Sequence, residues 1–456
     1  MADVVDVVVI GMGPGGEDLA ERMADAGWKV AGVEERLVGG ECPYFGCIPS
    51  KMIVRAADTL AEGRRIPDLS GTSSVTPDWG KVAHRIRAEA TDNWNDQVAA
   101  DRFTQKGGIL VRGHGRLAGP GRVVVGDREL EARRAIVLNP GTAPLVPPIP
   151  GLAEAPFWTN RELLRAETVP ASLTVLGGGS IGAEMAQGMA RFGARVTVIE
   201  AGDRIVGFEE PEAAQVLTEV FEREGIEVRT KSRAVGVSHG EEGITVELDN
   251  GERVTSEKLL VSVGRRPNLW DIGLETVGLD PHARSLPVTD HMRVEGVERL
   301  WGVGDVCGKG AFTHLSMYQA AIAMADIMGR EWPAADYRAL PRVTFTDPEI
   351  GSAGLTEQQA RERGIRVKVA TSPTSSSTRG WIHGPGNDGL LKLIQDQDRG
   401  VLVGATSMGP VGGEVLSILV LAITEEIPTE RLRHLIYAYP TFHRGLEPVL
   451  NELSST

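Results

Sequence analysis

Three features of the sequence predict an α/β fold: two doubly wound βαβ domains followed by a smaller α+β domain. Two stretches repeat one plan of apolar strand, glycine turn, alanine-rich helix and a second strand ending in an acid. The last quarter changes to alternating strand patterns set among glycine turns and two helices. The length, 456 residues, suits about three domains at roughly 150 residues each.

The first repeat opens with the strand Val4-Val5-Asp6-Val7-Val8-Val9-Ile10, turns at Gly11-Met12-Gly13-Pro14-Gly15-Gly16, forms a helix over 17–26 and returns as a strand over 29–33 that ends at Glu34. The second runs Leu173-Thr174-Val175-Leu176, Gly177-Gly178-Gly179-Ser180-Ile181-Gly182, a helix over 183–192, a strand over 195–199 and Glu200. Each unit covers about 30 residues, with its acid about 20 beyond the glycines, the spacing of a Rossmann-like dinucleotide-binding unit. The first glycine permits the tight turn, the second lets a pyrophosphate reach the backbone, and the third lets the helix pack on the strand. The helix N-terminus then faces the phosphates and the acid accepts hydrogen bonds from a ribose diol. One such turn is common in α/β proteins; two, each ending in Glu, are specific.

Residues 144–150, Pro-Leu-Val-Pro-Pro-Ile-Pro, predict an extended linker after the first domain. Gly264-Arg265-Arg266-Pro267-Asn268 marks a second boundary, after which Leu300-Trp301-Gly302-Val303-Gly304-Asp305 resumes as strand and turn and leads to a helix over 316–328. Beyond Pro341, strands are predicted at 390–395 and 401–407 and helices at 413–424 and 429–435; the Ser/Thr-rich stretch 371–378 predicts an exposed loop.

The formal charge of −14, from 48 Lys and Arg against 62 Asp and Glu, argues against nucleic-acid or membrane-surface partners. The longest apolar run, 416–423, falls far short of the ~18 residues of a membrane span. The start Met1-Ala2-Asp3 lacks a basic segment, so no signal peptide is expected. Cys42, Cys47 and Cys307 are too few for a disulfide scaffold and point to a reducing cytoplasm.

Cys42 and Cys47 follow the first acid closely, in Gly39-Gly40-Glu41-Cys42-Pro43-Tyr44-Phe45-Gly46-Cys47-Ile48-Pro49-Ser50-Lys51. Residues five apart in a regular helix have Cα atoms about 8–9 Å apart, whereas a disulfide needs about 4.4–6.8 Å. The pair can bridge only if Cys42 lies on a turn leading into a helix that begins near Cys47. Pro43 and Gly46 suit that turn, and 51–62 suits the helix. A cysteine at a helix N-terminus has a lowered pKa, which makes Cys47 a candidate thiolate. A zinc site would need two more ligands, and Cys307 has no partner motif, so it reads as a small core residue. Cys42 and Cys47 read as a reversible dithiol/disulfide rather than two inert buried thiols.

With these residues in place, the chain resembles the flavin-dependent pyridine nucleotide-disulfide oxidoreductases, the family of dihydrolipoamide dehydrogenase, glutathione reductase and mercuric reductase. The resemblance spans the 39–51 segment, both glycine turns, Val263-Gly264-Arg265-Arg266-Pro267-Asn268, Val303-Gly304-Asp305 and Phe345-Thr346-Asp347-Pro348-Glu349. It implies an FAD domain from 1–145 and 270–338, an NAD(P) domain over 150–269 and a dimerisation domain over 340–456 in a homodimer. FAD would be held by Gly11, Gly13, Gly16, Glu34 at the adenosine ribose, Gly40, Gly115, Gly141, Asp305 at the ribityl chain, Ala311, His314, and Lys51 near the flavin N5. The nicotinamide dinucleotide would lie on Gly177, Gly179, Gly182, Gly264 and Glu200; that carboxylate favours NADH over NADPH, although Arg204 stands nearby. Lys51 and Glu184 match the family's ion pair. Cys47 would face the flavin as its thiolate and Cys42 would attack a substrate disulfide.

The chain departs from the pattern at its C-terminal His-Pro-Thr segment. Here Tyr437-Ala438-Tyr439-Pro440-Thr441-Phe442-His443-Arg444 puts Tyr439 in the position of the catalytic His and Arg444 in that of its Glu. A phenol of pKa near 10 is a poor base at neutral pH, and His443 is the one imidazole at hand in the segment. Mercuric reductases also carry Tyr there, but the C-terminal cysteine pair expected of them is missing from Asn451-Glu452-Leu453-Ser454-Ser455-Thr456. Glu41 replaces the usual Thr before the first cysteine, and Asn139-Pro140-Gly141 replaces Ala-Thr-Gly. The expected activity is NADH-dependent reduction of a small disulfide. Reduction of a soft metal ion or a quinone is the alternative, and a silent flavin-binding protein is the third reading, opposed by the presence of Cys42, Cys47, Lys51 and Glu184.

Overall fold

The β-branched run Val7-Val8-Val9-Ile10 makes the strand Asp3–Ile10 the centre of a sheet covered on both faces, with Val7, Val8 and Val9 fully buried. In this computed structural model, which describes residues 2–454, that sheet has seven strands. Val30–Glu34 and then Ile109–Arg112 pair in parallel on one side of Asp3–Ile10, and Arg128–Leu138 on the other. The first half of Arg128–Leu138 carries the antiparallel strands Arg122–Val125 and Gly115–Leu117; its last residues pair in parallel with Leu300–Gly302. Strand order therefore reverses beside the end of Asp3–Ile10, where a ligand crevice opens in doubly wound sheets. The helix Pro14–Asp25 leads away from that point and packs against Thr313–Ile327. This unit consists of the chain up to Pro49, His84–Leu145 and Arg265–Asp336.

A second unit contains Ser50–Ala83, Val146–Gly264 and the chain from Tyr337 onward. It repeats the parallel plan in the order Glu227–Arg229, Arg195–Ile199, Ser172–Leu176 and Lys258–Val261, with a three-stranded antiparallel sheet of Ala234–Gly240, Gly243–Leu248 and Arg253–Ser256. It also holds a five-stranded antiparallel sheet in the order Pro341–Thr344, Glu349–Gly354, Val401–Gly409, Leu390–Asp396 and Val367–Pro373. The helices Gly412–Thr424 and Leu446–Ser454 cover it around Leu393, Leu402, Leu416 and Leu450. Two doubly wound sheets and an α+β end domain are the fold class the sequence predicts.

One local expectation fails. Residues 371–378 are not an exposed loop: Thr371, Ser372 and Pro373 end a strand paired with Leu390–Asp396, and Thr374 is buried. The hydroxyls that suggest a loop instead satisfy backbone groups. Thr374 Oγ1 donates to the Met408 carbonyl at 2.7 Å, and Ser377 caps the helix Thr378–His383 by accepting from Gly380 N at 3.0 Å. Among the described residues no helix is long and apolar enough to cross a membrane.

Candidate active site

The first glycine turn joins Asp3–Ile10 to Pro14–Asp25, and its glycines are required sterically. A Cβ on Gly11 (φ +92°) would lie 2.2 Å from the Asn139 carbonyl oxygen, and one on Gly16 would lie 2.1 Å from the Gly11 oxygen. Gly13 begins the helix with no side-chain cap, so the first N–H groups are left for a ligand. Glu34 closes the turn: its carboxylate accepts from Met12 N and Arg36 N, both at 2.8 Å. Burial raises the Glu34 pKa and the two backbone N–H groups moderate the rise. An uncapped helix end, a cradle that no Cβ could enter and a fixed carboxylate suit a dinucleotide.

Asn139 shows why this sequence departs from the usual Ala there. Its amide donates to the Gly11 carbonyl at 3.2 Å and accepts from Ser316 Oγ at 3.4 Å, which ties the turn to the helix Thr313–Ile327. The parallel strand Leu300–Gly302 delivers Asp305 to the same end of the sheet, where Thr142 Oγ1 donates to its carboxylate at 2.6 Å. Arg265 donates to Thr142 Oγ1 and lies 3.6 Å from Glu41, the second departure. A Cβ on Gly40 (φ +69°) would lie 2.8 Å from Gly13 Cα, Gly115 is buried at a strand start, and Gly141 (φ +66°) has open space where a Cβ would point. Ala311 and His314 are exposed beside the start of Thr313–Ile327.

Cys42 lies on a one-turn helix, Glu41–Phe45, rather than on a bare turn; Gly46 then breaks the chain direction and Cys47 starts the helix Cys47–Leu69. Both cysteines are free thiols, Cys47 exposed and Cys42 partly buried. The neighbouring Cys47 thiol, followed by burial, pushes the Cys42 thiol well above the ordinary thiol range. Thr313 Oγ1 stands 3.4 Å from Cys47 Sγ. Cys307 lies in the hydrophobic core of the same unit, its thiol pushed up to about 12 by burial and then by Asp305.

The second glycine turn copies the first. A Cβ on Gly177 (φ +101°) would meet the Ser262 carbonyl oxygen at 2.6 Å and one on Gly182 the Gly177 oxygen at 2.0 Å, while Gly179 and Gly264 border open space. Glu200 accepts from Gly178 N at 2.8 Å and Gly202 N at 2.6 Å. Arg204 is engaged with Asp203 and the Gly207 carbonyl.

The helix Cys47–Leu69 carries Lys51 one turn beyond Cys47. Lys51 Nζ binds Glu184 at 2.7 Å and lies 4.7 Å from the centre of the Phe345 ring; Glu184 also accepts from Phe345 N at 2.9 Å. Tyr439 is 65% exposed, with the Arg444 guanidinium 5.3 Å from its ring centre, while Arg444 itself pairs with Glu447. His443 is half-buried in the short turn His443–Gly445. Among the described residues no group of three or more His, Cys, Asp or Glu is placed to hold a metal ion.

Sequence reading missed Thr313, although it names both Ala311 and His314. No local motif could reveal it, because its contact with Cys47 spans 266 positions.

Comparison with known proteins agrees with this geometry. The pyridine nucleotide-disulphide oxidoreductase family matches residues 5–325, and that family's dimerisation domain matches residues 340–449. The chain is 34% identical to a dihydrolipoyl dehydrogenase of Geobacillus stearothermophilus, over 96% of this chain and 93% of the relative. It is 30% identical to a mercuric reductase of Acidithiobacillus ferrooxidans, over 97% and 81%. The HOCl-induced flavoprotein disulfide reductase RclA from Escherichia coli superposes with a TM-score of 0.86 at 26% identity, covering 98% of this chain and 99% of that one. With paired thiols, two dinucleotide cradles and matches along its length, this chain belongs to the pyridine nucleotide-disulphide oxidoreductases and is an FAD-dependent enzyme.

Proposed function

We propose that the enzyme takes electrons from NADH through FAD to the Cys42–Cys47 pair and on to a small disulfide, working as a cytoplasmic homodimer. The observation that carries this reading is the dithiol: two free thiols, Cys42 on the one-turn helix before Cys47 and Cys47 at a helix start, in one unit with the first glycine turn, Glu34 and Asp305. FAD, when bound, relays an electron pair between the nicotinamide and the dithiol. We assign its diphosphate to the backbone at Gly11, Gly13 and Gly16, its adenosine ribose to Glu34, its ribityl chain to Asp305, and its reactive ring edge to Lys51 held by Glu184. Gly40, Gly115, Gly141, Ala311 and His314 complete that surface, within a domain of residues 1–145 and 270–338. The nicotinamide dinucleotide falls to Gly177, Gly179, Gly182, Gly264 and Glu200 in 150–269. Glu200 supports NADH, since a fixed carboxylate accepts from a free 2′-hydroxyl and repels a 2′-phosphate, and Arg204 is engaged elsewhere.

In the reduced enzyme Cys47 holds the negative charge and Cys42 the proton. Once deprotonated, Cys42 attacks one sulfur of the substrate; a mixed disulfide forms as the substrate's S–S bond breaks and a thiolate departs. Cys47 then attacks Cys42, which restores the Cys42–Cys47 bond and expels the second thiolate; both thiolates take protons from water. Residues 340–456 form the subunit interface and bring Tyr439 and His443 toward the partner's dithiol.

Tyr439 in the position of His favours a second reading, in which a soft metal ion or quinone is the acceptor. Relatives named mercuric reductase and a Cu(II) complex of RclA support it. Anaerobic reduction with NADH separates the readings. A long-wavelength thiolate–flavin band is expected in the native enzyme, and Cys42→Ser should keep the band while disulfide turnover falls at least a hundredfold. Undiminished turnover in that variant would overturn Cys42 as the attacking thiol; bleaching with no band in the native enzyme would favour the quinone.

A further inference from the structure

The second glycine turn is gripped from behind by the C-terminal sheet of its own unit. Gly178 is held at both of its backbone polar atoms: its N–H donates to Glu200 at 2.8 Å, and its carbonyl accepts from Val206 N at 2.7 Å. Val206 takes the left-handed conformation, φ +42°, although it is β-branched and fully buried. That conformation is costly for such a residue and persists only where the surroundings impose it, as they do at ligand clamps. Ile205, also fully buried, backs the turn: a Cβ on Gly178 would lie 2.7 Å from Ile205 Cγ2.

The groups that impose the bend stand outside the nucleotide-binding repeat. The Val206 carbonyl accepts from Glu209 N at 2.8 Å. The Glu209 carboxylate, 1% exposed, accepts from Arg342 Nε at 2.9 Å, from Arg342 Nη2 at 2.8 Å and from Ser352 Oγ at 2.5 Å. Beside it, the buried Glu210 accepts from Lys392 Nζ at 2.8 Å and from Glu357 N at 2.7 Å. Arg342, Ser352 and Lys392 lie on three different strands of the five-stranded sheet. A bidentate guanidinium is what makes so complete a burial of Glu209 tolerable.

We infer that Arg342 is a positioning residue for the nicotinamide-dinucleotide cradle, acting through Glu209 and Val206 on Gly178; this rests on the assignment of that cradle above. Arg342 fixes Glu209, Glu209 fixes the bend at Val206, and Val206 fixes the carbonyl of the turn whose N–H orients Glu200. Nucleotide affinity is thereby set in part by a strand of the C-terminal domain. Such a cradle holds the dinucleotide equally before and during reaction, so loosening it raises the concentration required without slowing flavin reduction.

Stopped-flow reduction of the holoenzyme by NADH separates the half-saturating concentration from the limiting rate, and calorimetry with NAD+ on the oxidised enzyme gives the affinity without turnover. Arg342→Met is expected to raise the half-saturating NADH and the NAD+ dissociation constant about tenfold, the size of one hydrogen bond. The limiting rate is expected to stay within about twofold of native, with FAD fully retained. Arg342→Lys keeps the charge but not the fork and is expected to fall between native and Arg342→Met. Native-like affinity in Arg342→Met would overturn the inference, as would a parallel loss of FAD and NAD+, the mark of general damage. Should Arg342→Met not fold, for want of a partner to the buried Glu209 carboxylate, the double variant Glu209→Gln/Arg342→Met replaces it with the same expectations. A native enzyme that neither NADH nor NADPH reduces would sink the cradle's assignment and the inference with it, whereas native binding that is indifferent to these substitutions sinks the inference alone.

Discussion

Three cysteines of one sequence have three chemistries, and position alone separates them. Cys47 is exposed at a helix start, Cys42 is partly buried with its thiol pushed up by the neighbouring Cys47, and Cys307 is sealed in the core with a thiol pushed up to about 12. Alkylation of the reduced, folded enzyme at neutral pH is therefore expected to label Cys47 first and to spare Cys307 until the chain is unfolded, as peptide mass mapping would show; ready native labelling of Cys307 would contradict the core assignment. The sequence distinguishes these residues because the signals are local: Pro43, Gly46 and the helix after Cys47 surround one pair, and nothing accompanies Cys307. Thr313 and Asn139 were not legible as partners. Asn139 registers in the sequence only as a departure, and its purpose emerges when Gly11 and Ser316 arrive from distant positions to be bridged.

At the scale of elements, the helices that follow the glycine turns were legible as alanine-rich stretches, whereas Gln97–Gln105, Pro211–Arg223 and the contacts that fasten the helices were not. The helix Ser180–Arg191 is laced to 345–347: Glu184 accepts from Phe345 N, the Gln187 amide exchanges hydrogen bonds with the Asp347 backbone, and Arg191 binds the Asp347 carboxylate at 2.7 Å. Arg191 is 3% exposed and also engages Glu224 and, on the helix Cys47–Leu69, Asp58. A buried guanidinium is tolerable here because carboxylates surround it. Asp58 is raised to about 6, by burial against the pull of Arg191, with Asp347 and Glu349 adding repulsion. A carboxyl with a folded pKa above its unfolded value of about 3.9 binds more protons when folded. Its contribution to stability is complete below about pH 4 and is lost as pH rises through about 6. Asp347 is buried too, but Arg191 and Arg65 hold it below the usual range, so its opposite effect falls at lower pH. Asp58→Asn is thus expected to flatten the fall in melting temperature between about pH 4 and 6, measured by thermal denaturation; an unchanged slope would show that Asp58 does not drive it.

Over the whole molecule, the dimerisation match and the exposed apolar residues of the C-terminal sheet domain belong together. Trp381, Ile382, Leu435, Ile436 and Tyr439 all stand open to solvent in the single chain, within the stretch that matches the dimerisation domain. Ile436→Asp is expected to shift the enzyme from dimer to monomer in light scattering and to abolish disulfide turnover, while NADH still reduces the flavin; a fully active monomer would remove the partner's Tyr439 loop from the site. The repeated plan of the two nucleotide cradles was the most legible feature of all, since glycines, helix and acid fall within one short unit. Each acid reaches back 22 residues to its turn, Glu34 to Met12 N and Glu200 to Gly178 N, and each takes a second bond from an N–H two residues ahead. These carboxylates have lost their rotamer freedom before any ligand arrives. Freezing a long side chain during binding costs about 0.5–1.5 kcal/mol, so preorganisation of this kind strengthens each nucleotide's affinity by about two- to tenfold. As the proposed partners of the riboses, these fixed acids would act as rulers as well as charges, and an Asp at either position would keep the sign while falling short of the reach.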